Sequence, residues 1–402
     1  MPDKTPYFPQ PIFGGNENSP LKVPRVLIAP GRYIQGPGVL DHLGRYLSVL
    51  HSARPAILIS RGGQKRFGER LQQSLSKGGA DAVVHIFEGE CSYEAVSRIV
   101  DSLRTKTPAV DAIIAVGGGK CLDTGKSVAF RLDVPVVICP TIASTDAPCS
   151  AVSVMYSEEG VQVGPEFFPH SPALVVVDTQ IIVNAPIRQL VSGMGDGLAT
   201  YYEARTCFNN PKARSMVGGR PTITVLAIAE LCARTIMEKG PDAVASVSRK
   251  EISEAVEQIV EANTLLSGVG FESGGLAAAH AIASGLTVIP VLHNDYLHGE
   301  LVGIGLLAQL LLEGSPDEAR RIAEFLVKVG LPAHAGQLSL DMDADAAQIK
   351  AAMEGAKACG LADAEPFDVT PDLLYNAFCE ANQLGLDIAQ KAGDSAFRAL
   401  HA

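Results

Sequence analysis

The sequence predicts an α/β domain with a largely parallel sheet, followed by an all-helical domain. The first half alternates short runs rich in β-branched residues with amphipathic, helix-like segments, which is the pattern of βαβ units. From about Asn184 onward such runs become scarce, and Ala, Leu and Glu recur at helical spacing. The chain has 402 residues, enough for two domains with cores of their own. We therefore predict an N-terminal arm at residues 1–22, an α/β domain at 23–184 and a helical domain at 185–402.

The elements of the first half are predicted in a regular order. The arm contains five prolines and lacks the apolar core of a secretory signal, so we interpret it as an extended segment. Two strand-like pieces on either side of the turn Ser157–Gly160 predict an inserted hairpin. Strands are predicted at Arg25–Ala29, Ala56–Ser60, Ala82–Phe87, Ala112–Val116, Val134–Cys139 and Ala173–Val177, and helices at Val39–Leu50, Phe67–Ser76, Tyr93–Leu103 and Leu122–Arg131.

The second half is predicted to be helical throughout. Pro186 begins a long stretch without a low-complexity linker or an internal repeat. We expect the ligand site in the cleft between the two domains, because small-molecule sites occur preferentially there. Helices are predicted at Leu190–Cys207, Pro221–Glu238, Ile252–Gly268, Gly275–Leu286, Leu301–Leu312, Pro316–Val329, Ala346–Met353 and Pro371–Cys379.

The composition argues against several classes of function. A formal net charge of −11 disfavours nucleic acid and anionic membranes as partners. No apolar stretch reaches the roughly 20 residues that a bilayer-spanning helix needs. The eight cysteines occur singly, without a C-x-x-C pair, as in proteins of a reducing compartment. These features predict a soluble, cytoplasmic protein.

Residues 112–129, AIIAVGGGKCLDTGKSVA, give the first indication of a ligand. An apolar run ends at Gly117, Gly118 and Gly119, and a helix-like pattern follows. Glycines at a strand end let backbone N–H groups approach an anion, and the helix dipole favours negative charge at the same place. The spacing matches neither G-x-G-x-x-G nor G-x-x-x-x-G-K-[ST], so a tight turn that binds nothing is the alternative. The hypothesis is a nucleotide cofactor held by its pyrophosphate.

Two histidines and one aspartate of the helical half are candidate metal ligands. His280 lies in GGLAAAHAIASGL, and His298 lies in NDYLHGELVGIG, where an apolar helix begins. Asp196, in SGMGDGLATYYEA, has a glycine on each side. The structural alternatives are hydrogen-bonded core histidines and a helix N-cap aspartate. Two imidazoles and one carboxylate together suit a divalent ion such as Zn²⁺ or Fe²⁺ in a catalytic site with an open position.

A dense polar loop follows one of the buried strands. In VICPTIASTDAPCSAVSVMY, the residues Thr141, Ser144, Thr145, Asp146 and Ser150 crowd together beyond the predicted carboxyl edge of the sheet. An ordinary turn needs only one or two such residues. The density favours a ligand-binding surface over a simple turn.

Five motifs, in order and in register, resemble the metal-dependent (iron-containing) alcohol dehydrogenase family and in particular its glycerol-oxidising members. They are GGGKCLDTGK, PTIASTDAPCSAVSVMY, SGMGDGLATYYEA, GFESGGLAAAHAIASGLT and HGELVGIG. The resemblance extends from about Arg25 to Leu312. It implies a Rossmann-like domain followed by a helical metal domain, NAD and one divalent metal as cofactors, and reversible oxidation of glycerol to dihydroxyacetone. It also implies a homo-oligomer, either a dimer or a larger ring such as an octamer.

The resemblance further implies roles for individual residues. Asp196, His280 and His298 would be the metal ligands. Asp146 would contact substrate hydroxyls, and Phe271 would form an apolar wall of the substrate pocket. The implied cofactor-binding residues are Gly117, Gly118 and Gly119 at the pyrophosphate, Lys120 and Asp123 on the following helix, with Asp123 oriented toward the cofactor, Thr141 and Ser144 toward the phosphate and nicotinamide, and Ser150, Val152 and Tyr156 on the nicotinamide side.

Arg61 departs from the pattern of NAD-preferring relatives, which place an acidic residue there against the adenosine ribose. A carboxylate holds the ribose hydroxyls and repels a 2′-phosphate, whereas an arginine does the reverse. Arg61 therefore predicts that NADP is accepted beside NAD, unless its side chain stacks on adenine or faces solvent. A second departure is Ala283, where relatives often carry another histidine. His293 stands farther from His298 than the histidines of relatives do, and is a candidate to compensate.

The sequence leaves two alternative functions beside a glycerol dehydrogenase. The first is a dehydrogenase or reductase for another small vicinal diol, amino alcohol or ketone, with which Asp146 is also compatible. The second, more remote, is a lyase similar to dehydroquinate synthase, which needs several basic residues for the carboxylate and phosphate of its substrate. The chain has no lysine or arginine between Val134 and Ile182, which disfavours the lyase.

Overall fold

The computed structural model describes residues 6–14 and 22–401. Within them the chain forms two compact units. The sheet unit comprises Ile28–Ala143, Ala147–Ala185 and the described residues up to Pro9. The helical unit comprises the described residues from Pro186 onward, the segment Ser144–Asp146 and the described residues between 10 and 27. A parallel sheet followed by helices confirms the predicted fold class.

The sheet unit contains a six-stranded, all-parallel sheet and a separate antiparallel hairpin. The sheet has the order β1-β8-β5-β4-β2-β3, and the hairpin is formed by β6 and β7. In chain order the strands are β1 (Tyr33–Gly36), β2 (Pro55–Ser60), β3 (Val83–Phe87), β4 (Ala112–Gly117), β5 (Val136–Pro140), β6 (Val152–Tyr156), β7 (Gln162–Phe167) and β8 (Leu174–Asp178).

The four central strands are buried almost completely. Strands β4, β5 and β8 consist of buried residues except for the last residue of β4, and β2 is exposed only at its last residue. Ile57, Ile59, Ile114, Val116 and Val137 belong to one core cluster. A parallel sheet covered on both faces needs continuous apolar runs, which explains why the sequence predicted these strands.

The register places the carboxyl ends of neighbouring strands at one edge. Ile59 of β2 pairs with Val116 of β4, and Gly117 of β4 pairs with Pro140 of β5. The order of strands reverses between β2 and β4, because β3 lies outside β2 while β5 lies on the far side of β4. In open parallel sheets, ligands bind beyond the carboxyl ends at such a reversal. The residues that follow β2 and β4 therefore lie where a ligand is expected.

Helices connect the strands and build the second unit. A π-helical turn, Ala262–Leu266, joins α9 to α10, so residues 254–274 are helical without a break. The helices are α1 (Gln10–Phe13), α2 (Leu43–Leu47), α3 (Arg61–Lys77), α4 (Tyr93–Arg104), α5 (Gly119–Leu132), α6 (Thr179–Asn184), α7 (Ile187–Asn209), α8 (Ile223–Ser248), α9 (Glu254–Glu261), α10 (Ser267–Gly274), α11 (Ala278–Leu286), α12 (Pro290–Asp295), α13 (His298–Leu312), α14 (Pro316–Val329), α15 (Ala346–Ala358), α16 (Pro371–Ala392) and α17 (Ser395–His401).

Most of the longer helices of the sheet unit begin at a side-chain cap, and α5 does not. The hydroxyls of Ser60 and Ser92 accept backbone N–H bonds in the first turns of α3 and α4. The N-cap of α5 is Gly118, which has no side chain to offer. The first turn of α5 therefore keeps N–H groups that a ligand can satisfy.

Two predicted elements were wrong in the first half. Arg25–Ala29 is not a strand, because among the described residues Arg25 forms only an isolated bridge with Arg220, and prolines on both sides of the segment limit further pairing. The first strand is β1 instead. The predicted helix Val39–Leu50 consists of the short helix α2 between two 3₁₀ turns.

The predicted arm is described only at residues 6–14 and 22; its other residues lie outside the described part of the chain. Tyr7 forms an antiparallel bridge with Phe167 at the end of β7. Within residues 6–14 and 22–401, no helix is both long enough and apolar enough to cross a bilayer.

Candidate functional site

Three side chains from three helices of the helical unit form a candidate metal centre. Asp196 lies in the middle of α7, His280 lies in the first turn of α11, and His298 is the first residue of α13. One ligand atom from each lies within 4.8 Å of the others. Asp196 Oδ1 is 3.3 Å from His280 Nε2 and 3.6 Å from His298 Nε2. The structure thus brings together the three residues that the sequence singled out.

Facing glycines allow α7 and α13 to approach closely enough for this arrangement. A Cβ atom on Gly195 would lie 2.2 Å from the carbonyl oxygen of Gly299, and one on Gly299 would lie 1.9 Å from that of Ser192. Gly195 precedes Asp196, and Gly299 follows His298. The close approach of the two helices at these glycines therefore also brings Asp196 and His298 together. The central position of Asp196 in α7 excludes the N-cap role that the sequence left open.

The burial and hydrogen bonding of these residues fit a bound cation. Asp196 and His280 are buried, whereas the side chain of His298 is 45% exposed. Asp196 Oδ2 accepts the backbone N–H of Asp146 at 3.3 Å. Oδ1 is buried without a hydrogen bond of normal geometry in the described part of the chain. A buried carboxylate oxygen that lacks a donor and faces two imidazole nitrogens matches the donor set of a divalent metal.

Glu203 belongs to the same cluster, although the sequence analysis did not single it out. It is fully buried in α7, and its Oε2 atom lies 2.6 Å from His280 Nδ1. Its Oε1 atom accepts the backbone N–H groups of Ala277 and His280. The signal available in the sequence was its position two helical turns after Asp196, which places both carboxylates on one face of α7.

The charges of the cluster act strongly on one another. Burial opposes the charged form of His280, but Glu203 and Asp196 outweigh it and raise the pKa of His280 well above its usual value. Burial also opposes the charged form of Asp196, but His298 and His280 outweigh it and lower the pKa of Asp196. Burial, together with the charge of Asp196, raises the pKa of Asp146 well above its usual value. The site between His280 and Asp196 therefore favours a positive charge, which either a proton or a metal ion can supply.

Asp146 and Phe271, the predicted substrate residues, lie on elements next to Asp196. Besides its backbone bond to Asp196, Asp146 accepts a hydrogen bond from Ser267 through Oδ2 at 3.0 Å. Ser267 begins α10 directly after the π-helical turn, and Phe271 follows one turn later on the same helix. The structure therefore places a carboxylate and an aromatic ring on segments that converge near the candidate metal centre. Ser144 lies in the same segment as Asp146, and its carbonyl accepts the hydroxyl of Ser192 at 3.4 Å.

The three glycines lie in the sheet unit, where the sequence predicted them. Gly117 ends β4, Gly118 is the N-cap of α5, and Gly119 is the first residue of that helix. A Cβ atom on Gly118 would lie 2.9 Å from Ile142, whereas one on Gly119 would meet no described residue within 4 Å. Thr141, after β5, donates its N–H to the carbonyl of Gly117 at 2.9 Å. An uncapped helix start with open space before it fits an anion such as a pyrophosphate.

The two cations predicted at this edge are each paired with an acid from the loop after β3. The Nε of Arg61 donates to Glu88 at 2.8 Å, and the Nζ of Lys120 donates to Glu90 at 2.6 Å. The side chains of Arg61 and Glu88 are 78% and 61% exposed. Hydrogen bonding and attraction to Glu88 raise the pKa of Arg61. The positive charge of Arg61 is therefore balanced by a carboxylate that the sequence analysis had not connected to it.

Lys126 organises a buried network that the sequence analysis also missed. Its Nζ lies 3.0 Å from Asp123 Oδ1, 3.2 Å from Ser150 Oγ, and 2.6 and 2.7 Å from the carbonyls of Ala147 and Val152. Lys126 is only 3% exposed, so the ammonium is satisfied within the protein. The network ties α5 to the loop that leads into the hairpin.

This network corrects the expected orientation of Asp123. Its Oδ2 accepts the N–H of Val154 at 3.0 Å, so both of its carboxylate oxygens are engaged with Lys126 and the hairpin. Tyr156, at the end of β6, donates its N–H to Cys91, and burial raises the pKa of its hydroxyl to about 12. We expect Asp123, together with Ser150 and Val152, to act on a cofactor indirectly by holding the hairpin in place.

A cavity of about 520 Å³ lies at the opposite edge of the sheet. It is bordered by the segments that lead into β5 and β8, and these segments are at the amino ends of the strands. It is therefore separate from the turn formed by Gly117, Gly118 and Gly119, which we call the glycine turn. Its lining consists of Lys126, Ala129, Phe130, Asp133, Val134, Pro135, Val136, Ser150, Phe168, Pro169, His170, Ser171, Pro172 and Ala173.

Glu365 should make stability depend on pH. Its carboxylate is buried without a hydrogen bond of normal geometry among the described residues. Burial, and then the charges of Glu313 and Glu203, raise its pKa to about 8, while Arg205 and the backbone of Ala278 act in the opposite direction. Between its ordinary pKa of 4.5 and about 8, the folded protein binds more protons than the unfolded chain, so stability falls as pH rises through this window.

Glu365→Gln is therefore expected to raise the free energy of unfolding at pH 8.5 by a few kcal/mol, on the order of 1.4 kcal/mol per unit of pKa shift, and to change it little at pH 4.5. Urea unfolding of both proteins at the two pH values measures this. Glu354→Gln, at an exposed position of α15, serves as the control. If the free energies of unfolding of Glu365→Gln and the wild type differed by the same amount at both pH values, the prediction would be wrong.

Comparison with known proteins extends over nearly the whole chain. The family model of iron-containing alcohol dehydrogenases matches residues 30–179. A glycerol dehydrogenase of Escherichia coli O6:H1 is 43% identical over 373 residues, which cover 91% of this chain and 99% of that protein. A glycolaldehyde reductase of Halobacterium salinarum is 38% identical over 365 residues, covering 90% of this chain and 98% of that protein.

The fold comparison agrees with the sequence comparison. A crystal structure of a probable glycerol dehydrogenase from Sinorhizobium meliloti 1021 matches with a TM-score of 0.83 at 37% identity. The match covers 90% of this chain and 99% of that chain. The similarity therefore includes both the sheet and the helices that carry Asp196, His280 and His298.

Proposed function

Because the chain belongs to the iron-containing alcohol dehydrogenase family, as its five motifs predicted, we propose that it interconverts glycerol and dihydroxyacetone with a divalent metal and a nicotinamide cofactor. The observation that carries the proposal is the cluster of Asp196, His280 and His298, in which one buried carboxylate oxygen of Asp196 has no hydrogen-bond donor of normal geometry among the described residues. The glycerol dehydrogenase relative at 43% identity supports the substrate. Membership of this family favours a dehydrogenase over the lyase alternative.

Asp196, His280 and His298 would hold the metal. The donor set suits Zn²⁺, and Fe²⁺ is the alternative, because both ions accept imidazole and carboxylate ligands. A metal held there would supply Lewis acidity, which favours loss of a proton from an alcohol hydroxyl. The chain itself contributes rigidity, because the glycine contact between α7 and α13 and the hydrogen bond between His280 and Glu203 keep the ligands in position.

Asp146 and Phe271 would give the substrate site its polar and apolar parts. The carboxyl group of Asp146 is fixed by Ser267, so it can present an oxygen to a substrate hydroxyl in a defined direction. The ring of Phe271, 8% exposed, would pack against C–H groups and help to exclude water. A small polyol, with hydroxyls and short C–H stretches, matches both residues.

The glycine turn would hold the cofactor by its pyrophosphate. Open space before Gly119 and the uncapped start of α5 support this, together with the position of the turn at the strand-order reversal. Thr141 follows the neighbouring strand at the same edge and would lie beside the phosphates. The nicotinamide of a bound cofactor would supply the hydride acceptor for oxidation.

We propose that NAD is preferred over NADP, because Glu88 balances Arg61. The Glu88 carboxylate can accept bonds from ribose hydroxyls, whereas a 2′-phosphate would have to displace it from Arg61 against charge repulsion. Glu88→Gln is expected to raise the ratio of kcat/KM for NADP to that for NAD about tenfold, corresponding to about 1.4 kcal/mol. Initial rates with the two cofactors measure this ratio.

The control for Glu88 is Glu158→Gln, which removes another exposed acid, paired with Arg98 in the same unit. It should leave the cofactor ratio unchanged. A wild-type protein that already prefers NADP would contradict the proposal and would support the original interpretation of Arg61 as a 2′-phosphate ligand.

The substrate is tested by comparing kcat/KM for oxidation of glycerol and 1,2-propanediol with that for reduction of dihydroxyacetone and glycolaldehyde. We expect the pair of glycerol and dihydroxyacetone to be used best. A clear preference for glycolaldehyde would favour the second candidate function, reduction of a small hydroxyaldehyde, which the Halobacterium salinarum relative supports. Turnover of none of these compounds by metal-loaded protein would overturn the proposal.

Further expectations concern the binding partners, the oligomeric state and the cellular location of the protein. The net charge of −11 supports small molecules rather than nucleic acid or anionic membranes as partners. We also expect a homo-oligomer, a dimer or a larger ring such as an octamer, located in the cytoplasm.

A further inference from the structure

Glu203 holds one end of the His280 imidazole, while the other end faces the candidate metal centre. The Oε2 atom of Glu203 lies 2.6 Å from His280 Nδ1. On the opposite side of the ring, His280 Nε2 lies 3.3 Å from Asp196 Oδ1. Both carboxylates are buried completely, so water does not compete for these contacts. The ring is therefore fixed in orientation by the protein alone.

The hydrogen bond to Glu203 also determines which ring nitrogen can bind a metal. An ionised carboxylate only accepts hydrogen bonds, so the nitrogen that faces Glu203 must carry a proton. A neutral imidazole with its proton on Nδ1 has its lone pair on Nε2. A metal binds the lone pair, and here the lone pair points toward Asp196.

We infer that Glu203 is the positioning residue that selects the Nδ1–H tautomer of His280 and thereby sets the affinity of the site for its metal. The inference rests on the proposed function, in which Asp196, His280 and His298 hold that metal. Removal of a carboxylate partner from a metal-binding histidine typically weakens metal binding about 10–100-fold. The same size of effect is expected here.

Glu203 has a second, purely structural role, and the experiment must distinguish this role from the effect of Glu203 on metal binding. The N-cap residue of α11 is Ala277, which has no polar side chain, and Oε1 of Glu203 accepts N–H bonds from Ala277 and His280. Gln309 accepts the N–H of Ala279 in the same turn at 2.9 Å. The side chain of Gln309 therefore caps a backbone N–H of the same helix, and Gln309 offers a matched control.

Glu203→Gln separates the two tasks. The amide oxygen can still accept the two backbone N–H bonds, but the amide nitrogen that faces Nδ1 can only donate. This arrangement favours the tautomer with its proton on Nε2. In that tautomer, the nitrogen that faces the metal site has no lone pair. We expect Glu203→Gln to bind Zn²⁺ about 10–100-fold more weakly than the wild type, with a similar unfolding midpoint. Competition with a chromophoric chelator measures the affinity.

Gln309→Met removes the other cap without touching the imidazole, and we expect a lower unfolding midpoint with unchanged Zn²⁺ affinity. Wild-type Zn²⁺ affinity in Glu203→Gln would assign Glu203 to capping alone and overturn the inference. Absence of Zn²⁺ binding by the wild type would instead overturn the proposed function. Should Glu203→Gln fail to fold, ¹⁵N NMR of the zinc-loaded wild type decides: a proton on Nδ1 of His280 supports the inference, and metal on Nδ1 overturns it.

Discussion

Asp196→Asn is expected to abolish metal binding and to lower kcat/KM for glycerol by about 10³-fold or more. The reason is that a Lewis-acidic metal stabilises the transition state of such a reaction by several kcal/mol. Each 1.36 kcal/mol of transition-state stabilisation corresponds to a factor of ten in rate. The amide has almost the same shape as the carboxylate, and its oxygen can still accept the N–H of Asp146, so the fold should be kept. Metal analysis of the purified protein and initial-rate kinetics measure the two effects.

The matched control is His293→Ala, at an exposed position of α12. We expect it to retain both the metal and the rate. Loss of metal in His293→Ala would show that this histidine takes part in the site, as the sequence suggested when Ala283 was compared with relatives. Retention of metal and activity in Asp196→Asn would contradict the account of the metal centre.

Gly119→Ala is expected to weaken NAD binding about 10–100-fold while leaving stability unchanged or slightly improved. A Cβ atom at Gly119 meets nothing within 4 Å among the described residues, so we expect the methyl group to cost no stability in the free enzyme. The same methyl group would occupy the space that we assign to the pyrophosphate, and overlap of that size costs about 1–3 kcal/mol. Isothermal titration calorimetry with NAD measures the dissociation constant.

Gly355→Ala provides the comparison for this effect. Gly355 lies within α15, and among the described residues a Cβ atom there would approach only Gly285, at 3.8 Å. Both substitutions replace glycine by alanine in a helix, which favours helix formation, but only Gly119→Ala should affect the cofactor. If Gly119→Ala bound NAD as tightly as the wild type does, the pyrophosphate would have to lie elsewhere.

The fold was predictable where burial forces a regular pattern. The strands β2, β4, β5 and β8 are buried on both faces, so each appears as an unbroken apolar run. Strand β1 is only four half-buried residues, YIQG, and its polar side chains gave no such signal. Arg25–Ala29 is more apolar than β1 but lies between prolines, and it pairs at one bridge only.

The candidate site was predictable for residues that stand out from their own segment. His280 and Asp196 are polar groups within apolar or glycine-rich helices, and their sequence context identified them. Glu203 resembles an ordinary helical glutamate in sequence, because its burial depends on the packing of α7 against α11. The pairing of Arg61 with Glu88 depends on β3 lying beside β2, which is a property of the sheet order and not of either segment alone.

The central claim is that this chain oxidises glycerol with the help of a metal held by Asp196, His280 and His298. The most direct test is the absorbance of NADH formed from NAD and glycerol, measured on the purified protein, after complete chelation, and after Zn²⁺ is restored. We expect glycerol-dependent formation of NADH that is lost on chelation and returns with Zn²⁺. Undiminished activity in protein shown by metal analysis to be free of metal would contradict it.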